Sequence, residues 1–108
     1  MTISIADMNR RVIFEQAVLV PEDAGGFDRN WIAVATVWAA VRPVSAREDV
    51  KADQRAGTVT QEIVIRHRGD IAPAMRVRIG DDVLAIAAVT DLDGTRRWLR
   101  CLAERQLA

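Results

Sequence analysis

The chain has 108 residues, 15 basic and 15 acidic side chains, a formal net charge of zero and a hydrophobic half. That length fits one domain with one small core, and the even charge argues against a dedicated nucleic-acid binder, whose affinity comes mainly from neutralising phosphates. Cys101 and His67 are the only cysteine and histidine, so an internal disulfide or a cysteine-based metal site is excluded.

Residues 1–9 read as a flexible N-terminus. The start, Met1-Thr2-Ile3-Ser4-Ile5, lacks a basic region and a long apolar stretch, so it is not expected to act as a signal peptide, and synthesis in the cytoplasm is expected. No run approaches the 18 apolar residues of a membrane span. From Arg10 to Val20 the chain is rich in Val, Ile, Leu and Phe and reads as a first strand. Val12, Phe14, Val18 and Val20 share one parity and are expected on one face, with Ile13 and Leu19 spoiling the alternation. Pro21 to Asn30, with paired Gly25-Gly26, reads as a long loop, the kind of segment where binding tends to sit.

Trp31 to Val44 is a second β-like run, and at full extension it would span roughly 45 Å. A strand of that length in so small a domain is expected to bend or wrap a barrel, and Pro43 limits its end. The charged stretch Ser45–Gly57 then breaks the β pattern. Ser45 with Glu48 fits a capping box and Gly57 fits the residue after a helix end, so a short helical insertion is expected. Its surface carries Arg47, Lys51 and Arg55 at four-residue spacing, and Asp49 with Asp53. It lacks the apolar stripe with which a helix docks on its own core. Either this is a solvated face or the helix is displayed toward something outside the domain.

Thr58 to Arg68 reads as the third strand, with Val59, Ile63 and Ile65 on one side and Thr60, Glu62, Arg66 and Arg68 on the other. Gly69 to Ala74 reads as a turn or a single helical turn. Met75, Val77 and Ile79 alternate with Arg76 and Arg78 in a fourth strand that stops at Gly80. Val83 to Thr90, nearly all apolar, reads as a fifth strand buried on both faces. Asp93-Gly94 signals a turn, and Trp98 to Glu104 forms the last strand. The fold class is therefore mainly β: a small antiparallel barrel or sandwich of six strand segments, with one helical insertion between the second and third strands.

No catalytic constellation is visible. His67 shares the parity of the inward residues of its strand and reads as structural. Asp81, Asp82, Asp91 and Asp93 all lie in turns, where Asp is favoured for its local backbone hydrogen bonds. The glycines lack the strand–loop–helix context of a phosphate cradle. Trp31, Trp38 and Trp98 are candidates for the core or for an interface. The residues thus read as an interaction or structural domain, with no catalytic residue, metal or cofactor expected. A single-stranded nucleic-acid-binding barrel with Trp and Arg as a stacking platform is the alternative.

The order of the pieces adds to this reading. Met8-Asn9-Arg10-Arg11-Val12, the Gly25-Gly26 loop before Trp31, Val34 to Pro43 and Ser45-Ala46-Arg47-Glu48 come first. Ile65-Arg66-His67-Arg68, Ile71 to Val77, Gly80 and Val89 to Arg97 follow. Together they resemble the phage head–tail joining family, the head-closure or stopper proteins of long-tailed phages and gene transfer agents. The resemblance spans Asn9 to Gln106. It implies a small β-barrel without catalytic residues, assembled as a ring, usually of twelve copies, below the portal and its adaptor. Such a ring holds double-stranded DNA in the filled head and docks the tail terminator or tail tube. It also implies a place at the head–tail interface of the particle. The insertion would then put Arg47, Glu48, Lys51, Asp53 and Arg55 toward the channel or a neighbouring subunit. The loop with Gly25, Gly26, Phe27, Asp28 and Arg29 would face a subunit, the adaptor or the tail.

Overall fold

The computed structural model of the chain describes residues 7–44 and 58–106. The expected helical insertion at 45–57 lies outside the described residues, as do most of the N-terminal residues 1–9.

Six strands follow one another: β1 (Arg10–Pro21), β2 (Phe27–Pro43), β3 (Thr58–Arg66), β4 (Arg76–Ile79), β5 (Asp82–Asp91) and β6 (Trp98–Gln106). All their pairings are antiparallel and they close on themselves in the order β1-β2-β3-β6-β5-β4. The mainly β, antiparallel class expected from the sequence is what the chain adopts. Closure removes most of the strand edges that an open sheet of this size would leave.

The barrel is filled by Val12 and Phe14 of β1, Ile63 and Ile65 of β3, Val77 of β4, Leu84 and Ile86 of β5, and Leu99, Cys101 and Ala103 of β6. Burial of each large side chain here contributes about 1.5–3 kcal/mol. Burial also pushes the Cys101 thiol up to about 12, which keeps it protonated and unreactive. Ile79 and Asp82 are joined by a two-residue turn in which Gly80 has φ +61°, a backbone angle that glycine adopts without steric cost.

Two bulges set the geometry. Phe14 pairs with Ala35 but Glu15 pairs with Ala33, so β2 carries one extra residue, Val34. Ile86 pairs with Ala103 but Ala88 with Leu102, so β5 carries the extra residue Ala87. A bulge bends its strand and increases the local twist, which is how short strands turn a barrel's corners. It also flips the side-chain alternation beyond it. In β5 the inward residues are Leu84 and Ile86 before the bulge and Val89 after it. The expectation that β5 is buried on both faces is thus corrected: Val83, Ala85 and Ala87 are exposed, and small alanines account for the apolar run.

Three further expectations change. The Pro21–Asn30 loop shrinks to 22–26, because Phe27–Asn30 pairs with Val18–Pro21 and prolongs the hairpin. Val18 and Val20 are exposed rather than inward, since this part of β1 has left the barrel. His67 lies just past the end of β3 and is exposed, its backbone N–H donating to the Arg97 carbonyl at 3.0 Å.

Candidate interaction surface

The barrel closes only around part of the β1–β2 hairpin. β4 pairs with β1 at Val12–Glu15, and β3 pairs with β2 at Ala40–Pro43. Beyond those registers, residues 16–21 and 27–32 pair only with each other among the described residues. They form a two-stranded arm about 20 Å long with a free strand edge on either side. An isolated two-stranded ribbon is at best marginally stable in water. This one is anchored at its base.

The anchor is built on the outer face. Glu15 and Arg76 oppose each other across β1 and β4, and the Arg76 Nε donates to Glu15 Oε1 at 2.5 Å. The Arg76 guanidinium also stacks 4.3 Å from the centre of the Trp31 ring, with Arg29 at 5.9 Å. Trp31 and Trp38 are seven residues apart, a spacing that would put them on opposite faces of a regular strand. The extra residue Val34 brings both to the outer face. Trp38, 57% exposed, stacks with Arg11, and Trp98 stacks with Arg66. No tryptophan belongs to the core; each carries an arginine on the outside, an arrangement worth about 0.5–1 kcal/mol where solvent-exposed.

The arm is apolar for a surface element. Leu19 is 62% exposed and Phe27 67%, with Val18, Val20 and Ile32 also open to solvent. In register, Leu19 opposes Arg29 and Pro21 opposes Phe27, so these side chains and Trp31 share one face. At the tip, the Glu22 N–H donates to the Gly26 carbonyl at 2.9 Å and the Gly25 N–H to the Glu22 carbonyl at 3.1 Å. Gly25 takes φ +94° in this turn. Of the loop residues singled out in the sequence, Gly25, Gly26, Phe27, Asp28 and Arg29 all lie at or next to this tip. Arg47, Glu48, Lys51, Asp53 and Arg55 lie outside the described residues.

A groove of about 780 Å³ opens where the arm meets the barrel. Trp31, Met75, Leu19 and Val83 give it an apolar lining, and Arg29 and Arg105 bring charge to it. A second groove, of about 620 Å³, lies on the barrel beside Trp38, Arg66 and His67.

Sequence reasoning missed one polar centre. Glu62, read as an outward strand residue, is 3% exposed. Its Oε1 accepts from the Arg42 Nε at 2.6 Å and its Oε2 from the Arg100 Nε. Burial pushes this carboxyl up, but the Arg100 and Arg42 guanidiniums outweigh it and hold the group below its ordinary value. The only signal in the sequence was the placement of an acid among strand arginines. This cluster ties β2, β3 and β6 together and leaves no carboxylate oxygen open for chemistry.

Of the four turn carboxylates, Asp91 and Asp93 make the expected local hydrogen bonds, whereas Asp82 opens β5 and pairs with Arg105 at 3.4 Å. Asp91 accepts from the Gly94 N–H at 2.9 Å and the Arg96 N–H at 2.8 Å, and Asp93 accepts from Thr95. The Thr95 hydroxyl and N–H hold the Asp93 carboxyl below its ordinary value. Among the described residues, no group of three His, Cys, Asp or Glu side chains is placed to hold a metal.

A closed barrel, an exposed apolar arm and two grooves that carry arginines make up this surface among the described residues. The chain belongs to the phage head completion protein family, whose model matches residues 3–106, and is thereby a structural protein of phage-type particles. Among solved structures, a chain in the virion of a native gene transfer agent particle is 31% identical, with a TM-score of 0.71. That match covers 93% of this chain and 96% of the other. Protein SF1141 from Shigella flexneri 2a is 27% identical with a TM-score of 0.75, over 98% of both chains. No curated protein matches the chain.

Proposed function

We propose that the protein is a head–tail connector of a phage-like particle, a non-enzymatic stopper. Copies form a ring, dodecameric in the particle, between the portal or its adaptor and the tail. The ring retains packaged double-stranded DNA without reading its sequence and presents the surface on which the tail terminator or tail tube docks. The observation that carries this reading is the β1–β2 arm, whose exposed Leu19, Phe27 and Ile32 and two edges unpaired among the described residues suit a partner. Membership of the head completion family and the likeness to a chain of a gene transfer agent virion support the location. A zero net charge suits a channel that DNA must pass rather than grip. The charged stretch 45–57, with Arg47, Glu48, Lys51, Asp53 and Arg55, is assigned to the channel or to the neighbouring subunit.

The stacking-platform reading is less favoured, because the Trp31 ring is already covered by Arg76 at 4.3 Å. Deleting the gene in the particle-producing host tests the proposal. Heads without tails that lose their DNA are expected, with recovery when the wild-type gene is returned. Tailed, DNA-filled particles from the deletion strain would refute it.

A further inference from the structure

Resting on the ring reading, we infer that the arm tip of one copy docks in the groove at the base of the next copy's arm. The two surfaces are complementary. The tip carries Phe27, 67% exposed, with the acids Glu22 and Asp23 in the turn that precedes it. Among the described residues, neither Glu22 nor Asp23 has a cationic partner. The groove offers an apolar floor of Trp31 and Met75, an apolar rim of Leu19 and Val83, and three guanidiniums against the single carboxylate of Glu104. Arg76 is committed to Glu15. Arg29 has no carboxylate partner among the described residues, and Arg105 meets Asp82 only at 3.4 Å. Arg29 and Arg105 are therefore the pair that meets the acidic tip, while Phe27 fills the space between Trp31 and Val83.

The tip cannot reach the groove of its own chain. Phe27 lies four residues beyond Trp31 along a paired strand, about 13 Å away, and the antiparallel register and the tip hydrogen bonds keep the hairpin from folding back. Donor and receptor lie at different places on one chain, so the contact is head to tail. A repeated head-to-tail contact propagates from copy to copy and closes into a ring when the rotation allows. The free, apolar arm then has a single explanation: it is the part of each subunit that is buried by the next.

The test uses the full-length protein in assembled particles. In a chain carrying both Gly26→Cys and Ala85→Cys, exposed positions beside Phe27 and in the groove that leave the docking side chains in place, a short bis-maleimide is expected to give a ladder of multimers up to a closed ring. Neither single variant is expected to cross-link. Reversing the tip with Glu22→Arg and Asp23→Arg should lower the ladder yield about tenfold for each charge pair lost. Adding Arg29→Glu and Arg105→Glu should restore it. A ladder from Gly26→Cys alone would mean a symmetric tip-to-tip contact and would overturn the inference. So would DNA-filled, tailed particles that contain the double variant and yield no ladder. Absence of the chain from purified particles would instead refute the connector reading itself.

Discussion

Glu62 shows how single side chains bind this barrel together. Its carboxylate joins arginines from β2 and β6 across β3 while remaining 3% exposed. Glu62→Ala removes two charge-assisted hydrogen bonds, each of the kind worth about 1.5–3 kcal/mol. The two arginines are partly exposed, at 42% and 32%, so water compensates in part. A net loss of about 2–3 kcal/mol is expected, read as a lower Tm at roughly 4–8 °C per kcal/mol for a domain of this size. The group also carries a pH signature. Its folded pKa is depressed, so its contribution is present above the ordinary carboxylate range and disappears as pH falls through the lowered value. Thermal melts of Glu62→Gln should therefore show a shallower loss of stability below about pH 5 than the wild type. Ala74 is a second residue with a definite expectation. It holds φ +77°, which costs an L-residue about 1–2 kcal/mol. Ala74→Gly should raise stability by about 0.5–1 kcal/mol once the greater freedom of glycine in the unfolded chain is subtracted, measurable by urea denaturation.

At the scale of elements, the arm and the two bulges decide what the molecule can do. The arm adds little to the stability of the barrel, because its apolar side chains face water. Replacing both Leu19 and Phe27 with Ser should change the denaturation midpoint by less than about 0.5 kcal/mol equivalent, yet prevent incorporation into particles. A large loss of stability would mean that the arm belongs to the core. The strands themselves were legible in the sequence, since β-branched runs and turn residues mark all six. The clean alternation of Val77 and Ile79 with Arg76 and Arg78 gave β4 to within a residue. What the sequence hid follows from the bulges. A residue such as Val34 or Ala87 looks like any other apolar strand residue, but it inverts the facing of everything beyond it. That is why β5 read as buried on both faces, and why Trp31 and Trp38 were not seen to share one. The arm was hidden for a related reason. Val18 and Val20 alternate as core residues do, and only the pairing limits of β3 and β4 reveal that no barrel lies beneath them. The turn at Gly25 and Gly26 was legible in the sequence, because paired glycines mark one. The groove at the arm's base, assembled from five separate strands and the turn before β4, was not.

At the scale of the whole molecule, the described residues form a closed barrel from which one apolar arm projects. Exposed apolar side chains and guanidiniums gather on that arm and at its base, the surface that the proposed function assigns to another chain. Family membership places it among the head completion proteins of phage-type particles, and the connector role proposed above rests on that together with the arm. The most direct measurement is a cryo-electron microscopy reconstruction of the particle made by its host, without imposed symmetry at the head–tail vertex. The account predicts a ring of density between portal and tail that the six-strand barrel fits, each arm reaching the base of its neighbour's arm. Purified tailed particles with no copy of this chain at that vertex would contradict it.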